Sequence, residues 1–211
     1  MSRVKRDTLA PERIITQALA LIDLDGLDAF STRKLGAVLG VEAMALYHHF
    51  PSKGHLLDAV ADRILSEVVV PTAPADDPIA RLRLAVYSYR SVARAHPKAF
   101  LLIAARRFNT PNALALLEKL LALHQDAGLS AVRAARHFRM LGYFLNGALL
   151  SELTVLGQSP DSIGSAVDSG IPERYPAIAK SAPYLGSAYL DATFHEGLEA
   201  ILKRIAVEIA E

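Results

Sequence analysis

Residues 39–60 read LGVEAMALYHHFPSKGHLLDAV, and the middle of that run gathers side chains that could do chemistry. Met44, Tyr47, His48 and His49 stand among the apolar anchors Val41, Leu46 and Phe50, and Lys53 follows just beyond. Two imidazoles, a phenol and an amine so placed form either a metal or catalytic cluster, or a surface for something large and negatively charged. A zinc site is poorly served. On a helix adjacent residues diverge by about 100°, so His48 and His49 cannot share one ion, and no Asp or Cys completes a set with His55. Catalysis fares worse, because the chain has no cysteine, no Gly-x-Ser-x-Gly element and no paired carboxylates to act as acid and base. A charged partner surface remains.

Helices must position these groups. Pro11 suits a first helical turn, and Ile14, Ile15, Ala18, Leu19 and Ile22 repeat at helical spacing until Asp25-Gly26. A second helix starts at Ser31 or Thr32, either of which can cap it, and ends at Gly40. A third covers about 42–49 and stops before Pro51, since the residue before proline is pushed out of the helical region. Ser52 caps a fourth over 53–69. Helix, three-residue turn, short helix is a helix-turn-helix, whose second helix lies in the DNA major groove. With Leu46 inward, Met44 and His48 fall about 160° away, Ala45 and Tyr47 about 100°, and His49 about 60°. The cluster thus becomes a small outward face with hydrogen-bonding groups at its margins.

Composition agrees and excludes much else. The 211 residues, 52% hydrophobic, can bury a sizeable core in one or two domains. Ala, Leu, Arg and Glu dominate and strand-like alternation is almost absent, so the fold class is all-α. Absence of cysteine removes disulfides and thiol chemistry and fits a reducing, cytoplasmic setting. MSRVKRDTLAPER has no apolar run of the secretory kind, and no stretch approaches the roughly 18–20 apolar residues of a membrane span. The expectation is a soluble protein without membrane contact. Residues 1–63 hold eight basic groups (Arg3, Lys5, Arg6, Arg13, Arg33, Lys34, Lys53, Arg63) against eight acidic ones (Asp7, Glu12, Asp23, Asp25, Asp28, Glu42, Asp58, Asp62). A nucleic-acid partner therefore rests on where charges point, not on their sum.

The run STRKLGAVLGVEAMALYHHFPSKGHLLDA resembles the DNA-binding region of the TetR (tetracycline repressor) family of bacterial transcription regulators. Leu35, Leu39-Gly40-Val41, Leu46-Tyr47, His49-Phe50, Ser52-Lys53 and Leu56-Leu57 carry the likeness, over about residues 9–65. It implies an all-helical dimer: a DNA-binding domain over 1–65, a linking helix at 53–69, and an effector-binding and dimerisation domain over 70–211. By that likeness Thr32 touches phosphate and Arg33 reads guanine, whose O6 and N7 accept two hydrogen bonds from one guanidinium. Ala43, Met44 and Ala45 take the positions facing base edges, yet all three are apolar, which shifts direct readout toward Arg33 and His48. Tyr47, His49 and Lys53 match phosphate contacts. Arg3, Lys5 and Arg6 form a basic arm able to reach the backbone or a minor groove.

Beyond the proline-broken segment 71–78, helices are expected at 78–95, 97–105, 111–127, 130–156 and 188–210. Two long helices near the end carry apolar stripes, Leu145, Leu149 and Leu153 on one and Leu198, Ile201, Leu202, Ile205 and Ile209 on the other. They fit a bundle between two copies, or else packing within one chain. The segment 157–172 reads as a loop. Apolar helices with isolated polar groups make a pocket, with Tyr89, Arg106, Arg107, Phe108, Asn109, His137, Phe138, Leu141, Tyr143, Phe144 and Asn146 as candidate effector contacts. Residues 106–130 and Gly142-Tyr143-Phe144 resemble the family's tetracycline-repressor-like C-terminal domain. Where that domain aligns a metal-binding His and its acidic partner, this chain has Ala104 and Ser151. The resemblance thus implies no metal, no cofactor and a less polar effector. The function expected is a dimeric repressor, not an enzyme, on a palindromic operator and released by that effector. A regulator or activator without an effector, or a helical protein-interaction module, are the alternatives.

Overall fold

Pro11 opens α1 (Pro11–Asp25), whose Ile14, Ala18, Leu19 and Ile22 are buried, and Gly26 ends it at φ +91°. The computed structural model describes residues 9–71, 77–106, 110–157 and 174–211. α2 (Thr32–Leu39) is capped by Ser31, whose hydroxyl accepts from Lys34 N at 3.2 Å, and Gly40 closes it in the left-handed region at φ +70°. α3 (Ala43–Tyr47) follows after three residues and buries Leu46. α4 (Lys53–Leu65) is capped by Ser52. It ends four residues earlier than its apolar pattern indicated. Glu67 and Val68 bond back three residues instead of four, and Val70, directly before Pro71, is pushed out of the helical region.

The α2–α3 crossing depends on a glycine. A Cβ on Gly36 would sit 2.8 Å from Val41 O and 3.2 Å from Ala43 N, both backbone atoms that no side-chain rotation can clear. Gly36→Ala gains up to about 1 kcal/mol of helix propensity but loses roughly 1–3 kcal/mol to overpacking. A net fall in the thermal midpoint is expected; an unchanged or raised midpoint would show that α3 shifts at no cost.

α5 (Pro78–Ala95), α6 (Phe100–Arg106), α7 (Pro111–Asp126), α8 (Ala131–Gly157), α9 (Pro176–Ser181) and α10 (Leu190–Ala210) complete the described elements, with 3₁₀ turns at Ala182–Tyr184 and Ser187–Tyr189. No described helix is long and apolar enough to cross a membrane. The chain divides into two compact units, Met1–Val69 with Ser91–Lys119, and Val70–Arg90 with Leu120–Glu211. Residues 91–119 pack with the first unit. Polar clasps accompany that packing. The His96 ring nitrogens lie 2.8 Å from Asp23 Oδ2 and 3.2 Å from Glu67 Oε2, and the Asn112 amide and Nδ2 donate at 2.8 Å to the two Asp62 carboxylate oxygens.

In the second unit α8 and α10 pack on each other. Leu149, Leu198, Leu202 and Ile205 are each 0% exposed within one chain, so they are its core and not a face left over for a second copy. Leu145, Leu153, Ile201 and Ile209 are half-buried. The segment 157–172, expected as a loop, lies outside the described residues except for Gly157, which is the last residue of α8.

Candidate nucleic-acid interface and the core of the second unit

In the first unit α2 and α3 present one polar face. Thr32 Oγ1 and Tyr47 OH, both expected at phosphates, lie 3.5 Å apart, although fifteen residues separate them. Arg33 is exposed at the start of α2 and has no partner among the described residues, whereas its neighbour Lys34 reaches Asp25 at 3.5 Å. Met44 stands 70% exposed on α3 between half-buried Ala43 and Ala45, and His48 and His49 are exposed after it. Lys53 has a partner the spacing did not reveal: Nζ donates to Phe30 O at 2.9 Å and sits 5.4 Å from the centre of the Phe30 ring. His55 Nδ1 lies 2.8 Å from Ser52 Oγ. The arm residues Arg3, Lys5 and Arg6 lie outside the described residues.

The second unit holds two polar clusters inside apolar helices. Arg90 of α5 grips Glu152 of α8 (Nη2 to Oε1, 2.8 Å) and Asp191 of α10 (Nη2 to Oδ1, 2.7 Å). Its guanidinium lies 4.0 Å over the Phe194 ring, which also meets Phe144 and Tyr87 at centroid distances of 5.2 and 5.8 Å. The other cluster joins His137 Nε2 to Glu208 Oε2 at 2.9 Å, with Arg204 Nη2 2.6 Å from the second Glu208 oxygen. His124 is buried nearby and bonds Leu120 O through Nδ1 at 2.6 Å. His124 Nε2 and His137 Nδ1 are buried with no partner among the described residues.

Family models match both parts of the chain: "Bacterial regulatory proteins, tetR family" over residues 14–60, and "Tetracyclin repressor-like, C-terminal domain" over residues 70–209. The chain belongs to the TetR family. It is 30% identical over 207 residues to the class A tetracycline repressor protein from transposon 1721 of Escherichia coli, covering 94% of this chain and 91% of that one. The class C tetracycline repressor protein of Escherichia coli is 32% identical over 207 residues, 92% of this chain and 89% of its own. Among solved structures, ActR of Streptomyces coelicolor in complex with actinorhodin superposes with a TM-score of 0.82 at 27% identity, over 96% of this chain and 99% of that one.

A TetR-family chain is a DNA-binding transcription regulator with a ligand-binding C-terminal domain, not an enzyme. Of the candidate effector contacts, His137 and Leu141 are buried, Phe144 meets the aromatic cluster, and Tyr89, Phe138 and Asn146 are half-buried. Tyr143, 67% exposed, faces outward, about 100° round α8 from Phe144, and lines an open cavity with Val132, Arg136, Arg139 and Met140. Arg106 is the last residue of α6, and Arg107, Phe108 and Asn109 lie outside the described residues. The spacing missed Arg90, Glu152, Tyr87 and His195, whose partners are far apart in sequence.

Burial holds the His124 imidazole below its ordinary value of 6.5; the Leu120 carbonyl opposes that shift and the neighbouring His137 adds to it. As pH falls through 6.5 the unfolded chain takes up a proton that native His124 resists, so stability falls from about pH 7.5 toward 5.5. The Glu208 carboxyl is lowered chiefly by its bond from His137, so its contribution is lost only in more acidic solution, below its ordinary 4.5. The thermal midpoint of the native chain should therefore drop between those two buffers by more than that of His124→Gln. Parallel profiles for the two proteins would remove His124 from the account.

Proposed function

We propose that the protein is a homodimeric repressor that binds a palindromic operator and is released by a small, largely apolar effector taken up in its second unit. The observation that carries this reading is the outward face of α2 and α3. An exposed Arg33 without a partner among the described residues, a protruding Met44 and the Thr32–Tyr47 hydroxyl pair stand together on α2 and α3 of one compact unit. Arg33 supplies guanine readout, and Met44, with Ala43 and Ala45, offers apolar contact to thymine methyls. Thr32, Tyr47 and His49 fit phosphate contacts, which set register without reading sequence, and His48 fits a base edge. A C2 pair places two such faces roughly 34–36 Å apart, one DNA turn. Exposed apolar residues on α8 and α10, Val132, Tyr143, Leu150 and Val207, suit that pairing better than the buried leucines do.

Support for an effector comes from relatives. ActR is described with actinorhodin, and the class A and class C relatives are named tetracycline repressors. Ala104 and Ser151 stand where the family's metal-binding residues align, so a metal-free ligand fits this chain better. Release needs a ligand that prefers one arrangement of the reading faces, and about 1–3 kcal/mol of coupling changes operator affinity roughly 5–150-fold. With operator DNA as its partner, the protein acts in the cytoplasm. A gel-shift titration against the DNA upstream of its own gene tests the reading. Specific binding should weaken steeply with salt as counterions are released. No preference for any natural promoter fragment over bulk competitor would overturn it.

A further inference from the structure

Lys53 is the first residue of α4, and the family likeness makes it a phosphate ligand. Its side chain, although exposed, also has a partner within the chain. The ammonium donates at 2.9 Å to the carbonyl of Phe30 and lies 5.4 Å from the centre of that residue's ring. Phe30 is 3% exposed, anchored in the core of the first unit, and directly precedes Ser31, the cap of α2. Thr32 and Arg33 are the next two residues. The Phe30 carbonyl lies outside α2, so a partner must come from elsewhere, and a cation is the stronger donor for it.

We infer that Lys53 is a positioning residue: its ammonium ties the start of α4 to the Phe30 carbonyl and thereby fixes the base-reading Arg33 at the head of α2, instead of neutralising a phosphate. The inference rests on the proposed DNA reading, and the two fail differently. A positional tether should matter most for the base that Arg33 reads. A phosphate ligand weakens all sequences alike when removed and flattens the salt dependence.

The test uses the full chain and a duplex selected by the native protein from a random-sequence pool, together with that duplex's single-base variants. Lys53→Met keeps the aliphatic stem and removes the ammonium. Its affinity should fall about tenfold or more, with an unchanged slope of log affinity against log salt. The penalty at the guanine that Arg33→Ala renders indifferent should shrink, and Lys53→Met should cost far less when Arg33 is already alanine. Lys53→Arg, which keeps a charged donor within reach, should restore that base penalty. Should Lys53→Met melt too low to assay, Lys53→Gln is measured instead, with the same expectation for the slope. A slope shallower by about 0.9 for each phosphate no longer neutralised, with base penalties intact, makes Lys53 a phosphate ligand and overturns the inference. Native-like binding by the neutral variants overturns it too. If the native chain selects no duplex, it is the DNA reading that has failed.

Discussion

Arg33→Ala is expected to lower affinity for the operator by roughly 10²-fold or more while leaving the melting temperature nearly unchanged. A bidentate arginine–guanine pair contributes about 1–3 kcal/mol of discrimination, and the proposed symmetric dimer would lose it twice. Little stands ready to compensate. The proposed base-facing positions of α3 are Ala43, Met44 and Ala45, none of whose side chains donates a hydrogen bond, so the proposed direct readout falls to Arg33, with His48 beside it. Stability should be spared because Arg33 is exposed and has no partner among the described residues. Lys34→Ala is the natural control. That side chain already faces Asp25 at 3.5 Å, and its exposed pair contributes about 0–1 kcal/mol. Titrations of both variants against the selected duplex and its single-base changes check the assignment. If Arg33→Ala loses affinity equally on every sequence, Arg33 holds the backbone and base identity is read elsewhere.

The outward face of α2 and α3 is legible in the sequence because everything that builds it is local. A cap at Ser31, a left-handed Gly40, a proline after α3 and one helical period around Leu46 determine which side chains point outward. What the sequence hides is pairing at a distance. Lys53 finds its carbonyl 23 residues away, His96 meets Asp23 at a separation of 73, and Arg90 meets Glu152 at 62. No periodicity encodes such partners. The stripe on α10 shows the same limit differently. A repeat of apolar residues at steps of three and four says that a face must be buried, but the signal is identical whether another helix of the same chain or a second copy covers it. Leu198, Leu202 and Ile205 are covered from within. The exposed Val207, on the same helix, is the better mark of an unfilled face.

Glu152→Leu is expected to cost roughly 3–5 kcal/mol of stability, the usual penalty for leaving a buried charge without its counter-ion. Arg90 is 6% and Glu152 2% exposed, and Arg90 Nε and Nη2 both donate to the Glu152 carboxylate. Asp191 also touches Arg90, but its side chain is 72% exposed, so solvent weakens its compensation. At this chain length each kcal/mol moves the midpoint by about 2–4 °C, so a drop of roughly 6–20 °C should appear in a thermal melt. Arg90→Met combined with Glu152→Leu should recover most of the loss, because desolvating two charges offsets much of their attraction and apolar replacements of similar volume are often neutral. A double variant as unstable as the single would mean that the pair supplies net stability. If instead it is stable and binds operator but no longer responds to effector, the ion pair serves a different end. Joining α5, α8 and α10 through one guanidinium beneath Phe194 then fixes the arrangement of the core that a ligand must recognise, at little net cost in folding free energy.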